Sequence, residues 1–414
     1  VADNSSNLNI FSGAPASFLQ ALPSFAGIAE LALPIKLEKA GAASLYVVTP
    51  FTEGPQAFLA AFTDAGLLTP PLIRRPALEA ALMLFHAPKN DLFMFNAPHP
   101  QAAGALSPLR ASRSDLSLLA GFTMSGSRTG EDPARLAAGE FNLGRLHSAH
   151  YLYAMAAARN PASRTRFALG AVLVELGLLQ EAYDALKDDK DPEALLNLAV
   201  IHRKTGNQQA AREMLAAIGP GTPLEDRKAA EIAWLDLDAG KEDEAEKAFK
   251  RLATSAFEKA EALSGLGAAL ANTAFKTKDK GRLAAAATAL RSALVTPSPG
   301  VARIFFQLGN LYFRSGDSAQ AEGCYRRSAA IAPAVQALAN LALTLIKTGK
   351  TAEAAAVTLQ VALTDISSAA RLVAEFPKKD LETLFPPPPL QAAPAPQPRQ
   401  AEAPAAPAQA PQAA

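Results

Sequence analysis

From Gly130 to Ser368 the sequence keeps returning to one pattern, at a period of roughly 34 residues. Leu308, Gly309, Tyr312, Gly316, Ala321, Tyr325 and Pro333 set out one nearly complete unit. Upstream the same order of residue types recurs at Leu136, Ala137, Gly144, Ala149, Tyr153 and Pro161, then at Leu169, Gly170, Leu173, Gly177, Ala182 and Leu186. It recurs at Leu198, Ala199, His202, Gly206, Ala211 and Leu215, at Ile232, Ala233, Gly240, Ala245 and Phe249, and at Leu266, Gly267 and Leu270. Downstream it returns once, at Leu341, Ala342, Leu345, Gly349, Ala354 and Thr358. That makes seven units.

Each recurring position has a mechanical reason. A small residue after the first large one lets two helices of a pair approach closely, and the larger apolar residues fill the gap between pairs. The glycine takes the left-handed conformation that ends the first helix, and a proline stops the second. One such helical hairpin cannot bury its apolar face alone, so neighbours must stack into a solenoid.

These residues resemble the tetratricopeptide repeat over about 130–368. The resemblance implies a mainly α fold: a right-handed α-solenoid of about seven helical hairpins, in which the first helices line a concave face. It also implies a scaffold or adaptor that binds a partner protein or peptide segment in that groove. The unit beginning near Ala260 carries about eight extra residues around Phe275–Gly281, which are expected to lengthen its inter-helix turn. Residues 369–385 are expected to supply a terminal capping helix.

The flanks have different textures. Residues 1–128 are Pro-rich and irregular, and a small α+β domain is expected there, with a degenerate helical repeat as the competing reading. Ile35–Lys39 and Ser44–Thr49 alternate about Ala40–Ala43 and read as a hairpin. Gln56–Ala65 has helical spacing. Ala81–His86 and Asp91–Phe95 flank a turn at Ala87–Asn90 and suggest a second hairpin, although Leu78–Phe85 also reads as helix. Residues 386–414 are almost entirely Pro, Ala and Gln, a composition that supplies few hydrogen-bond donors and few apolar side chains for a core. A disordered or polyproline-like tail is expected.

Charge is nearly balanced, 40 Lys+Arg against 39 Asp+Glu, and no basic stripe carries interleaved aromatics. Nucleic acid is therefore not an expected partner. No run of about 18 uncharged apolar residues occurs, so membrane insertion is not expected. Cys324 is the single cysteine, which rules out an internal disulfide framework. The segment following Val1 has neither a positive nor an apolar signal-peptide region. A cytoplasmic location is expected, or a periplasmic one if a signal upstream of Val1 has been removed.

Chemistry-bearing motifs are incomplete. Thr344–Thr351 ends like a phosphate-binding loop, but it starts with Thr344 in place of glycine and lies on the repeat frame. Gly121–Ser127 spaces two glycines but lacks the lysine, and reads as a linker. Gly265 and Gly267 belong to the repeat. His147 and His150 share a helix face with no third ligand at hand, Glu140 falling on the other helix, and are expected to be exposed or partly packed. Cys324 reads as a semi-buried structural thiol, and Asp191 as a helix N-cap. No catalytic residue, metal or cofactor is expected. An enzymatic rival would have to use His86, His99, Asp64 and Asp91 of the first zone, which no motif joins. A second rival is an envelope assembly factor tethered by the Pro/Ala tail.

The candidate binding residues come from the repeat frame, as the inward positions of the first helices that the resemblance implies. They are Asn197, Arg203, Trp234, Arg303, Phe306, Gln307, Asn310, Phe313 and Asn340, flanked by Arg164, Phe167, Val200, Arg227, Leu237 and Leu343. Arginine and aromatic residues facing a groove are common interface anchors. Asn310 followed by Asn340 resembles the paired asparagines of peptide-clamping tetratricopeptide domains, but Phe306 stands where the clamp lysine belongs. An apolar or helical segment is therefore the expected ligand, with Asn310 outside the packing positions.

Overall fold

The computed structural model describes Leu22 and residues 30–48, 50–53, 56–61, 72–87, 92–95, 109–125, 132–160, 163–254 and 259–385. The expectations placed on the tail at 386–414 and on His99, Asp64, Asp91 and Pro161 lie outside these residues.

The N-terminal lobe is α+β. Strand β1 (Glu30–Ala40) serves two partners: its second half pairs antiparallel with β2 (Ala43–Val48), and its first half with β5 (Leu72–Pro76). The β1–β2 turn is where the alternation places it, with Ala40 opposite Ala43 and Gly41 at φ 63°. Such a φ strains any residue with a Cβ. A second sheet runs in the order β3 (Pro50–Glu53), β4 (Gln56–Ala61), β6 (Leu92–Phe95), β7 (Leu109–Ser112). The expected helix from Gln56 is thus a strand as far as Ala61. Pairing on both sides, with β3 and with β6, outweighs its helical spacing. Leu92–Phe95 is a strand as expected, but it pairs parallel with β4 and makes no hairpin with the segment before it. That segment is helix α1 (Ala77–Phe85), which buries Ala80, Ala81, Leu84 and Phe85. Helix α2 (Arg113–Ser125) completes the lobe; Arg113 donates to the carbonyls of Phe85 and Ala87, both at 2.9 Å, and so ties α2 to the end of α1.

Seven helical hairpins follow. They are α3 (Pro133–Asn142) with α4 (Leu146–Arg159), α5 (Ser163–Leu176) with α6 (Leu179–Leu186), and α7 (Pro192–Lys204) with α8 (Gln208–Ala217). Next come α9 (Glu225–Asp238) with α10 (Glu242–Leu252), and α11 (Lys259–Thr277) with α12 (Lys280–Ala293). The array ends with α13 (Val301–Ser315) and α14 (Ser318–Ile331), then α15 (Val335–Lys347) and α16 (Thr351–Ala362). Helix α17 (Ile366–Glu375) and the short α18 (Leu381–Leu384) close the end, where Phe376 and Phe385 meet edge to face.

In six hairpins the expected glycine ends the first helix with φ between 74° and 89°, at Gly144, Gly177, Gly206, Gly240, Gly316 and Gly349. The following residue caps the next helix at Asn207 and Asp317, whose side chains accept from Ala210 N and Gln320 N. The fifth hairpin departs. Its extra residues do not lengthen the turn; they extend α11 to 19 residues, about 28 Å. Ala-rich sequence favours winding the insertion into helix over leaving it as loop. The turn shrinks to Lys278 and Asp279, and Lys278 takes the left-handed conformation at φ 58°, alone among the described non-glycine residues. Asp191 occupies the N-cap of α7 as expected, but its side chain makes no capping bond.

The repeat's small positions are enforced by contact. A Cβ on Gly309 would lie 2.5 Å from the Tyr325 ring, and one on Gly267 would lie 2.5 Å from Leu290 Cγ. Gly265 sits against the Phe249 ring in the same way, so the two glycines that imitate a nucleotide loop are helix-packing residues.

The array does not stand apart from the lobe. Helix α2 crosses α4 so closely that a Cβ on Gly121 would be 2.1 Å from the His147 carbonyl; the segment expected to be a linker is helix up to Ser125. The hydrophobic core under α1 and α2 runs on through Phe167, Leu173 and Leu178 into the second and third hairpins. At the far end Ala40, Ala43 and Leu45 join the core of α15–α17, and Val48 N donates to Leu363 O at 3.0 Å. The lobe therefore spans from the first hairpins to the last helices. A second bridge crosses the array itself: at Gly144 an added Cβ would meet Val301 Cγ1 at 2.5 Å and Ser298 O at 3.2 Å, so the α3–α4 turn touches the α12–α13 loop.

Candidate functional site

Beside this second bridge lies an open-sided cavity of about 500 Å³, lined by residues of hairpins one to five, by Thr296–Pro299 of the α12–α13 loop and by Arg303 of α13. Helices α5, α7, α9 and α11 each contribute to its wall because successive turns of a helix present residues three and four apart on one face. Its polar side chains form a connected belt. Arg203 Nε donates to Glu231 Oε2 at 2.9 Å, and its Nη1 to Asp238 Oδ2 at 3.4 Å. Arg303 Nη2 donates to Glu261 Oε2 at 2.7 Å, and Trp234 Nε1 donates to Glu261 Oε1 at 2.8 Å. The Trp234 ring lies beside both guanidinium groups, 5.6 Å from that of Arg203 and 6.0 Å from that of Arg303. Lys204 Nζ stands 3.9 Å from Glu175 Oε1.

The charges hold one another in place. Burial pushes the Glu175 carboxyl up, but Lys204, Arg303, Arg203 and Arg227 outweigh it and hold it below the usual range. At Glu231 burial wins over Arg203 and the carboxyl sits above its usual range. Glu261, aided by Glu175 and Glu231, raises Arg303 against the opposing effect of burial, so that guanidinium stays charged. Its Nε is buried and makes no hydrogen bond.

The sequence candidates divide into two groups. Asn197, Arg203 and Arg303 line the cavity, and Trp234 lies directly behind it at 8% exposure, its ring edge-on to Phe249. Asn197 is buried and donates to Phe167 O at 3.2 Å. The remaining five belong to the packing between later hairpins. Gln307 accepts from the buried Ser264 hydroxyl at 2.9 Å. Asn310 Oδ1 accepts from Tyr325 OH at 2.8 Å and from Asn340 Nδ2 at 3.0 Å, while Phe306 leans on the Tyr325 ring at 6.0 Å. Phe313 lies under Lys347 Nζ, 4.0 Å from the ring centroid. The Asn310 carbonyl oxygen is thus engaged in the joint between the sixth and seventh hairpins, whereas the sequence places it outside the packing positions.

Glu175, Glu231 and Glu261 are among the cavity residues that the sequence does not single out. The last two occupy inward frame positions like the arginines, so the frame carries a signal for them, but carboxylates are not typical interface anchors. Nothing in the frame announces that residues 296–299 fold back over the cavity.

A second polar cluster lies at the seam of α2 and α4. His147 and His150 are buried, and the Nδ1 atoms of both are 2.9 Å from the Ser117 hydroxyl, which overturns the exposed reading. One hydroxyl donates one proton, so Ser117 donates to one imidazole and accepts from the other. His86 stands 6.3 Å from the His147 ring with its Nε2 buried and unbonded. Desolvation lowers all three, to about 4 for His86 and about 3 for His147 and His150; Arg113 adds to it at His86, and His86 and then His150 at His147. Among the described residues no group of His, Cys, Asp and Glu is arranged to hold a metal ion. Cys324 is buried, and desolvation raises its thiol pKa.

Residues 306–371 match the family model of the tetratricopeptide repeat. Among solved structures, a thermophilic tetratricopeptide protein of Thermus thermophilus is similar at 20% identity and a TM-score of 0.39, over 45% of this chain and 98% of that one. A tetratricopeptide repeat protein of Parabacteroides merdae is similar at 17% identity and a TM-score of 0.36, over 58% and 96%. The Cut9–Hcn1 hetero-tetramer of APC/C is similar at 16% identity and a TM-score of 0.44, over 64% and 56%. No curated protein matches the chain in sequence. The family match covers the sixth and seventh hairpins, and the five hairpins before them repeat the same helix-pair form, with a left-handed glycine closing the first helix in four of the five.

Proposed function

We propose that the chain is a protein-interaction scaffold that takes a segment of a partner protein into the cavity walled by α5, α7, α9 and α11. The observation that carries this reading is the cavity itself: about 500 Å³ of space on the inner side of the array, lined by side chains of both charges. Pockets of this kind hold a ligand by a few placed polar groups on a rigid frame. The late-hairpin clamp suggested by Asn310 and Asn340 is a weaker seat, because those amides bond one another. The enzymatic rival loses support at His86, whose ring packs edge-on against Phe85 and whose buried Nε2 has no hydrogen-bond partner among the described residues. No helix among the described residues is long and apolar enough to cross a membrane.

A photo-crosslinking residue tests the proposal. Placed at Val200, which lines the cavity, it should capture a partner segment; placed at the exposed Lys247 of α10, it should not. The captured segment, made as a peptide, should bind the purified protein and suppress the cross-link. Equal capture at both positions, or a peptide without effect at Val200, would overturn the cavity as the binding site.

A further inference from the structure

We propose that the segment entering the cavity is acidic, and that Arg164 and Lys259 at its margin meet the carboxylates. This rests on the cavity being the binding site. Among the described residues, six basic side chains line the space against four carboxylates. Three of those carboxylates already have a cation of the lining beside them: Glu175 has Lys204, Glu231 has Arg203 and Glu261 has Arg303. Among the described residues, the rest of the lining holds a single further carboxylate, Glu193, and there Arg164 and Lys259 are both exposed. The margin is therefore positive, while the floor is close to neutral and internally bonded.

The floor adds a second reason. Arg303 keeps its charge with its side chain about two-thirds buried, and its buried Nε–H has no acceptor among the described residues. A buried donor left without a partner is costly, and an entering carboxylate oxygen would satisfy it with a charge-assisted bond. Beside it the Trp234 face is taken by two guanidinium groups, so a basic segment would meet two fixed cations where it would need an aromatic surface. A purely apolar segment would have to bury this belt without pairing it. An acidic one pairs with the surplus and leaves the existing ion pairs intact.

The geometry also supplies the reporter. Trp234 is the protein's single tryptophan, and its indole N–H is bound to Glu261, the carboxylate that holds Arg303. A ligand that draws on Arg303 changes the charge beside that indole, so intrinsic fluorescence reads occupancy without a label.

The probe is an octaglutamate peptide titrated into the full chain, with octalysine and inorganic phosphate in parallel. Octaglutamate should shift the Trp234 emission and bind more weakly as salt is raised, while octalysine should do neither. The double variant Arg164→Glu, Lys259→Glu should lose about tenfold or more in affinity, as expected from removing charge-assisted contacts. Arg251→Glu on α10 should leave affinity unchanged, and melting curves for both variants exclude a folding defect. If octaglutamate fails to bind, or binds the double variant as well as the parent, the acidic reading is wrong. Phosphate matching octaglutamate in affinity would also overturn it, since a small anion and not a segment would then be the ligand. These failures are separable from failure of the cavity itself: a partner peptide that still cross-links at Val200 and is neutral or basic sinks this inference alone, whereas loss of that cross-link sinks both.

Discussion

The array and the N-terminal lobe are built by opposite means, and each completes the other. In the array every hairpin leans on its sequence neighbours, so a short pattern repeated suffices to specify it. In the lobe the pairings are distant: β1 takes β5 from across the sheet, and β4 takes β6 in parallel. The lobe has no closed core of its own, since its apolar residues divide between a cluster shared with Phe167, Leu173 and Leu178 and one shared with the last helices. The lobe in turn covers apolar residues of the first hairpins and of the last helices. A repeat pattern announces its neighbours and is silent about what seals its ends.

The sharpest way to break this comparison is to remove the lobe. The repeat frame alone implies that residues 130–385 fold independently. The shared core implies otherwise, because Leu116, Leu118 and Leu119 are each at most 1% exposed in the joint cluster and each such side chain is worth about 1.5–3 kcal/mol. The fragment should remain helical by circular dichroism but melt more than about 10 °C below the full chain. A fragment that melts with the full chain would show the two parts to be independent.

Acid is the next strongest probe, because it acts on the seam. His86, His147 and His150 have folded values of about 4, 3 and 3, below the ordinary 6.5. An opened seam takes up protons below about pH 6.5 while the closed one does not, so stability is complete above that pH and falls as pH drops toward 4. Each histidine contributes a slope of about 1.4 kcal/mol per pH unit. Asp115, raised by burial to about 6, works in the other direction and offsets about one histidine between pH 6 and 4. Melting temperature should fall steeply from pH 6.5 to 4.5, and His150→Gln should flatten that slope. A parent protein with a flat profile over this range would remove the seam as the weak point.

Within the array, Asn310→Ala distinguishes packing from binding. It removes the acceptor of Tyr325 OH and Asn340 Nδ2, a loss of about 1–2 kcal/mol that should appear as a lower melting temperature. An unchanged melt would restore Asn310 as a free groove residue. The smallest effect is expected at Lys278→Gly. The left-handed backbone costs a lysine about 1–2 kcal/mol that a glycine is spared, so this change should raise the melting temperature slightly. A decrease would mean that the Lys278 side chain compensates for its backbone.

How much is legible in the sequence follows from the same contrast. Gly316, Tyr325 and Ala321 can be read in advance because each answers a local demand: a helix stop, a filler, a close approach. Trp234, Arg203 and Arg303 fall on the inner face by helical phase, which is also local. The strand at Gln56 is not legible, since its spacing fits a helix and only β3 and β6 decide otherwise. Nor is the extension of α11, where sequence marks an insertion but cannot say whether it loops out or winds on. His147 and His150 look exposed because their cover, α2, comes from another lobe. Asn310 looks free because Tyr325 and Asn340, its partners, sit on the next two helices and reach it only once the hairpins stack.

The bond from Val48 N to Leu363 O has a consequence during synthesis. Strand β2 leaves the ribosome long before the helix turn that covers it exists. At about 5–20 residues per second the interval is roughly 15–60 s. Through that time Ala43 and Leu45 have no seat, and the β2 edge is open to pairing with a neighbouring nascent chain. The last helices to be made are thus the ones that end the vulnerability of the first strands.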